Sequence, residues 1–209
     1  MLNKTNKKIK RVAFFGDAAA KGSDQHFIDA YNVAKAVAKA GYIVVNGGGT
    51  GVMRASTLGA KEEGGQVEIV IINPKKKIQN YEGLDDKNGN LADKVIKTKD
   101  YPSRLNKLIE IADAFIIFKG GTGTLSEVGL TWEMAKFEYG KHEPLLFYGK
   151  EWKRVVDLIV EEMDFDRVEK KVYQLVSSPD QVVDTLDKGR GSKEDEEDFV
   201  FGRVRDWLK

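Results

Sequence analysis

Short apolar runs alternate with segments of helical period along most of the chain. Ala30, Val33, Ala34 and Val37, for example, fall at positions i, i+3, i+4 and i+7, which is one face of a helix. The apolar runs predict strands at residues 11–16, 42–45, 67–72, 94–98, 114–118, 144–147 and 172–176. The periodic segments predict helices at residues 23–40, after the first glycine cluster to about 63, and at 104–111, 124–137, 152–162 and 179–188.

This alternation predicts the fold class. Strands separated by helices indicate βαβ units, so we expect an α/β protein with a doubly wound, mainly parallel Rossmann-like sheet, helices on both faces and a single domain. The predicted domain spans residues 11–188. A basic tail, 1–10, precedes it, and an acidic linker with a short amphipathic helix, 189–209, follows it. Residues 73–93 are rich in turn formers and predict an exposed loop.

Composition limits the function classes. The 209 residues are 41% hydrophobic and 32% charged, as in a globular protein, and the net charge of +1 predicts no nucleic-acid partner. The absence of cysteine excludes disulfides, thiol nucleophiles and cysteine-ligated metals. Neither a signal-peptide core nor an apolar stretch of about 18 residues is present, so we expect a cytoplasmic protein with no membrane partner.

Two glycine clusters, residues 47–51 and 120–123, each follow a predicted strand and precede a predicted helix. Ligands of open α/β sheets bind outside the carboxyl ends of the strands, so both clusters should line one crevice. Glycine permits close backbone approach, and the free N–H groups at a helix start bind phosphate. Neither cluster is a Walker loop, the first strand does not lead into a dinucleotide fingerprint, and no nucleophile elbow occurs.

A carboxylate follows the second cluster closely. Spacing alone favours a capping box, in which Thr124 caps the helix and Glu127 reaches back to the cap N–H. Arg104 stands where a helix start disfavours a cation, which indicates an anionic partner, either substrate or Glu127. His26 and His142 show no metal-ligand spacing and are interpreted as surface or loop residues, so we predict no metal site.

These motifs resemble those of a known family. Residues 47–55, Gly-Gly-Gly-Thr-Gly-Val-Met-Arg-Ala, resemble the pattern Gly-Gly-Gly-Pro-Gly-Ile-Met-Glu-Ala, and residues 120–127 resemble Pro-Gly-Gly-x-Gly-Thr-x-x-Glu. Residues 15–18 are similar to an opening Phe-Gly-Ser-Ala, and the spacing from Arg104 to Glu127 equals that of the active-site arginine and glutamate. The family is LOG, the cytokinin-activating phosphoribohydrolases, and the resemblance covers about residues 11–160.

The resemblance implies a Rossmann-like enzyme that hydrolyses the N-glycosidic bond of a nucleoside 5′-monophosphate, such as a cytokinin riboside monophosphate or AMP, without a cofactor. It implies that Arg104 and Glu127 are the catalytic pair and that the protein is a homodimer. Residues implied to bind the phosphate or nucleotide are Gly48, Gly49, Gly120, Gly121, Thr122, Gly123 and Thr124. Trp132 and residues 73–93 are expected to contribute to the wall of the base pocket.

The chain departs from the family pattern at four positions. They are Asp17, in place of a small hydroxyl residue, Thr50 and Lys119, each in place of proline, and Arg54, in place of glutamate. These departures support an alternative function, a non-catalytic carrier of a phosphorylated cofactor such as molybdenum cofactor. A DNA-processing relative with a similar core is a third alternative, which the near-neutral charge disfavours.

Overall fold

The structure is a computed structural model that describes residues 9–73 and 85–189. Most of the predicted tail 1–10, residues 74–84 of the predicted loop, with Lys75–Lys77, and the predicted C-terminal helix lie outside the described residues. None of the helices within the described ranges is both long enough and apolar enough to cross a membrane.

Seven parallel strands form one sheet in the order β4-β3-β2-β1-β5-β6-β7. The strands are β1 Arg11–Phe15, β2 Ile43–Asn46, β3 Val67–Ile72, β4 Lys94–Thr98, β5 Ala114–Ile117, β6 Leu145–Tyr148 and β7 Tyr173–Val176. The chain first builds outward from β1 to β4 and then returns to the other side of β1 with β5. The order therefore reverses between β1 and β5, where open α/β sheets bind ligands.

Helices cover both faces of the sheet, as the doubly wound prediction requires. They are α1 Gln25–Lys39, α2 Gly51–Glu62, α3 Asp86–Gly89, α4 Tyr101–Ile111, α5 Thr122–Phe137, α6 Lys150–Glu162 and α7 Pro179–Lys188. Residues of α1, α2 and α7 share one apolar core with the sheet, and residues of α4, α5 and α6 share the other. The predicted α/β architecture is confirmed.

The alternation of side chains along the strands builds the two cores. On β1, Val12 and Phe14 pack into the core with α1 and α2, while Ala13 and Phe15 pack into the core with α4 and α5. All four side chains are fully or almost fully buried. The inner strands of a parallel sheet that is covered on both faces therefore read as nearly continuous apolar runs, whereas the edge strands β4 and β7 are more exposed and mix polar with apolar residues.

Several sequence predictions need correction. Residues 86–89, within the predicted loop, form the short helix α3, and α5 begins two residues before the predicted Thr124. Trp132 does not reach the ligand cleft, because it packs in the core against Phe147 and Tyr173. His142 lies in a loop, which is one of the two predicted alternatives, and is buried and stacked on Tyr139.

Candidate functional site

A cleft of about 290 Å³ opens at the carboxyl ends of β1 and β5, at the point where the strand order reverses. Both glycine clusters reach it, as the sequence predicted. Residues that line it are Phe14, Phe15, Gly16, Asp17, Ala18, Gly49, Met53, Tyr101, Arg104, Gly121, Thr122, Gly123, Thr124 and Glu127. Of the predicted site residues, Gly48 and Gly120 are not among the lining residues.

The second glycine cluster forms an open helix start. Gly121 is the N-cap of α5 and provides no side-chain cap. Among the described residues, no group accepts a hydrogen bond from the N–H of Thr122, Gly123 or Thr124. A methyl group added at Gly121 would meet no atom within 4 Å, so this turn faces open space. Free N–H groups at a helix N-terminus carry the positive end of the helix dipole and bind anions.

Glu127 lies on the buried side of α5, where the cleft meets the protein interior. Only 9% of its surface is exposed. Burial raises the pKa of its carboxyl to about 8, although the positive charge of Arg104 acts in the opposite direction. The carboxyl is therefore mostly protonated at neutral pH and can donate a hydrogen bond.

The capping-box interpretation of this glutamate is wrong. Because α5 begins at Thr122 with Gly121 as its cap, Thr124 and Glu127 both lie inside the helix, and neither occupies a capping position. A sequence signal for the correct placement existed. Glu127 is in phase with the buried positions Thr124, Val128 and Thr131 of the same helix.

Arg104 projects from α4 toward the carboxyl ends of β2 and β3 and is 6% exposed. Its Nε donates to the Val70 carbonyl at 3.0 Å and its Nη2 to the Gly47 carbonyl at 3.1 Å. Among residues 9–73 and 85–189, no carboxylate lies within ion-pair distance of its guanidinium. The predicted anionic partner of Arg104 is therefore not Glu127 in this structure, and the positive charge is available to a ligand.

The carbonyl groups of the first glycine cluster accept hydrogen bonds from residues outside the loop. The Gly47 carbonyl accepts from Arg104, the Gly48 carbonyl from the Asp85 N–H at 3.0 Å, and the Gly49 carbonyl from the Asn88 side-chain amide at 2.8 Å. Gly48 has a φ of +74°, which favours glycine, and its N–H donates to Asn46 Oδ1 at 2.8 Å. Three successive carbonyl groups therefore have partners outside the loop.

Three of the departures from the family pattern lie beside the cleft and do not line it. Thr50 Oγ1 donates to the Ala18 carbonyl at 2.6 Å, so it joins the first glycine cluster to the loop after β1. Arg54 pairs with Asp85 at 3.3 Å and does not line the cleft. Lys119 is exposed and likewise does not line the cleft, although its carbonyl accepts from the Asp17 N–H at 3.0 Å.

Sequence reasoning missed several residues of the cleft wall. Tyr101 and Met53 line it, and Tyr101 Oη lies 3.6 Å from the position that a methyl group on Gly123 would take. Tyr101 was missed because the helix was predicted to begin at Arg104, whereas α4 begins at Tyr101 and places the two residues one turn apart. Within the described part of the chain, no group of three or more acidic or histidine side chains is arranged to hold a metal ion.

A family model matches most of the chain. Residues 9–140 match the model of the SLOG cluster4 family. The chain belongs to this family. An uncharacterized protein of Archaeoglobus fulgidus is 32% identical over 142 residues, which are 68% of this chain and 86% of that protein. The matched SLOG region contains β1 to β5, both glycine clusters, Arg104 and Glu127.

Solved structures confirm the fold. The molybdenum cofactor binding protein of Rippkaea orientalis is similar with a TM-score of 0.63 and 21% identity, over 88% of this chain and 98% of that protein. DNA processing protein A of Helicobacter pylori, which binds single-stranded DNA, is similar with a TM-score of 0.61 and 16% identity, over 87% of this chain and 81% of that protein. At these identities the likeness shows the fold alone, so the predicted absence of a nucleic-acid partner stays a prediction. The LOG resemblance is confirmed at the level of the SLOG fold.

Proposed function

We propose that the cleft binds a phosphorylated small molecule, with its phosphate on the N-terminus of α5. The observation that carries this proposal is the uncapped start of this helix, where the N–H groups of Thr122 to Thr124 face a cleft that also contains Arg104. Backbone N–H groups hold the phosphate oxygens, and the buried guanidinium adds positive charge.

The protonation state of Glu127 fits an anionic ligand. An ionised carboxylate in the same cleft would repel a phosphate, whereas a protonated one donates a hydrogen bond to it or to an adjacent oxygen. With a pKa of about 8, the side chain is mostly neutral at pH 7. The acid beside the phosphate site is then compatible with binding.

The ligand class follows from the size and chemistry of the cleft. A volume of about 290 Å³ is at the small end of ligand pockets and suits one phosphorylated heterocycle. A nucleoside monophosphate and a phosphorylated pterin both have this character. The carrier function receives support from the SLOG neighbour that is described as a molybdenum cofactor binding protein. The chain has no cysteine, so a bound molybdenum cofactor would be held by its phosphate and ring system.

Binding is tested by calorimetry with inorganic phosphate and AMP, and by fluorescence of any pterin released from the denatured, purified protein. We expect binding by wild type and loss of at least about tenfold in affinity for Arg104→Gln, because a charged contact is removed. Arg154→Gln on the exposed face of α6 is the matched control. Since Arg104 is buried, Gly121→Val provides a second variant that fills the cleft from an open position. Absence of phosphate, nucleotide and pterin binding in folded protein would contradict the proposal.

A second candidate function is hydrolysis of the N-glycosidic bond of a nucleoside 5′-monophosphate, as the LOG resemblance implies. The burial and raised pKa of Glu127 favour it, because a carboxyl that is protonated at neutral pH can act as a general acid. In this mechanism the C1′–N bond breaks as Glu127 gives its proton to the leaving base. Water then bonds to C1′ of the oxocarbenium-like sugar and returns a proton to Glu127.

An assay with a panel of nucleotides distinguishes the enzyme function from the carrier function. Purified protein is incubated with AMP, GMP, CMP and isopentenyladenosine monophosphate, and free base is measured. If the enzyme function is correct, base is released by wild type, while Glu127→Gln abolishes release and leaves nucleotide binding largely intact. Release that survives this substitution contradicts the mechanism. Binding of the nucleotides with no release from any of them supports the carrier function.

We also infer a homodimer, on the LOG resemblance. The outward side of α5 supports the inference, because Leu125 is 54% and Phe137 is 70% exposed on a helix that follows the phosphate loop directly. Sedimentation velocity is the measurement. Wild type should sediment as a dimer and Phe137→Glu as a monomer or a weaker dimer, and a monomeric wild type would contradict the inference.

A further inference from the structure

Asp17 lies where the two glycine clusters and the loop after β1 meet. Its N–H donates to the Lys119 carbonyl at 3.0 Å, next to the second cluster, and its carbonyl accepts from the Val52 N–H at 2.9 Å, at the start of α2. A methyl group on Gly120 would lie 2.9 Å from its nitrogen, and one on Gly51 would overlap its carbonyl oxygen. The backbone of Asp17 is therefore fixed from both sides.

The carboxylate of Asp17 is only partly used within the protein. Its Oδ1 accepts from the Ala19 N–H at 2.9 Å in an Asx turn. Within the described ranges, this is the one hydrogen bond made by the side chain. Asp17 also lines the cleft with Arg104 and Glu127. A carboxylate with a free oxygen thus faces a cleft whose other features favour an anion.

A carboxylate is a poor neighbour for a phosphate unless the ligand presents hydrogen-bond donors to it. We propose that Asp17 is a specificity-determining residue that accepts hydrogen bonds from donor groups of the ligand, the hydroxyl groups of its sugar or an amino group of its ring. This inference rests on the proposed function, since it concerns the same cleft. It limits the ligand to phosphorylated molecules that carry donors close to the phosphate.

The turn alone does not explain an aspartate at this position. Asparagine and serine also form such turns, and the family pattern carries a small hydroxyl residue here. Asp17→Asn therefore keeps an oxygen for the Ala19 N–H while it removes the charge. If Asp17 is only a turn residue, this substitution leaves all ligand affinities unchanged.

The test compares the affinities of wild type and Asp17→Asn for inorganic phosphate, AMP and 2′,3′-dideoxyAMP by calorimetry. We expect AMP to bind about tenfold more weakly to the variant, because a charge-assisted hydrogen bond is lost. Phosphate should bind equally or more tightly, because a negative charge is removed. Asp184→Asn, at an exposed position of α7, is the charge-matched control and should change none of the three.

The dideoxynucleotide identifies the donor. A loss confined to AMP supports recognition of sugar hydroxyl groups, and an equal loss for AMP and dideoxyAMP supports recognition of a ring amino group. Unchanged or tighter AMP binding by Asp17→Asn would overturn the inference. That outcome is distinct from failure of the proposed function, in which wild type itself binds neither phosphate nor AMP.

Discussion

The two glycine clusters have similar sequences, but only the second has a position that is open to the cleft. In the first, the carbonyls of Gly47, Gly48 and Gly49 all accept hydrogen bonds from outside the loop, and Gly47 packs against Arg104. In the second, Gly121 meets no neighbouring atom, and the N–H groups of the helix start are free of protein acceptors within the described ranges.

The difference separates two reasons for glycine. The first cluster needs glycine because other parts of the protein occupy the space of a side chain, so it positions Arg104. The second cluster packs Gly120 as closely, against Thr124 and Asp17, but leaves that space empty at Gly121, so it can admit a ligand there. The sequence alone attributes ligand contact to both clusters, whereas the structure makes one a support and the other a contact surface.

The largest expected difference between the clusters is the change in stability when one glycine of each is replaced by alanine. Gly47→Ala should lower the free energy of unfolding by about 3 kcal/mol, because its methyl group would displace the buried guanidinium of Arg104 from its hydrogen bonds to the Val70 and Gly47 carbonyls. Gly121→Ala should change stability by no more than about 0.5 kcal/mol, since its methyl group meets nothing. Urea denaturation measures both. Equal stability losses would show that the comparison is wrong.

The open position in the second cluster also predicts an effect on ligand binding. Gly121→Ala places a methyl group at the mouth of the phosphate site and should weaken phosphate affinity without unfolding the protein. Calorimetric titration with phosphate measures this, with Gly129→Ala as the control, because Gly129 also has open space around it but does not line the cleft.

The next effect concerns the buried acid behind the second cluster. The pKa of Glu127 is about 8 in the folded protein against 4.5 for a solvated glutamate in the unfolded chain, so between these values the folded state binds more protons than the unfolded state. This contribution to stability is complete below pH 4.5 and is lost as pH rises toward 8. Wild type should lose about 2 kcal/mol between pH 6 and 8 from this group.

Glu127→Gln separates this contribution from other titrations, because glutamine does not ionise. Denaturation of wild type and variant at pH 6, 7 and 8 measures the difference. The variant should lose less stability than wild type as pH rises. Parallel pH profiles would show that the side chain is ionised in the folded protein. Phosphate affinity should also fall above pH 8 in wild type and not in the variant.

The smallest expected effect concerns the ion pair between Arg54 and Asp85, the residue whose N–H donates to the Gly48 carbonyl of the first cluster. Arg54→Glu restores the residue of the family pattern but places two carboxylates together at Asp85. The partly exposed pair contributes little, so we expect a stability loss of about 1 kcal/mol or less. The double variant Arg54→Glu with Asp85→Asn should recover most of it, because asparagine removes the repulsion and keeps an oxygen for the Lys87 N–H that Asp85 caps. If stability is not recovered, the charge interaction between residues 54 and 85 does not account for the loss.

Element positions were largely readable from the sequence. Residues 67–72, 94–98 and 179–188 have the predicted bounds, because apolar strands and capped helices leave clear patterns. The start of α5 was misplaced by two residues. The N-cap is Gly121, which has no side chain to signal it, whereas Thr124 and Glu127 have the spacing of a capping box and therefore suggest a later start. Trp132 was predicted to line the base pocket but packs in the core, because the sequence pattern alone does not distinguish a core aromatic residue from one that lines a cleft.

By itself, the sequence determined the α/β class, the order of elements and the convergence of the glycine clusters, because hydrophobic period and turn chemistry are local properties. Only the tertiary structure decided which cluster is open, where the guanidinium of Arg104 is held and that Glu127 is buried and mostly protonated. Those properties depend on contacts between residues far apart in the chain and on exclusion of water, which no local pattern encodes.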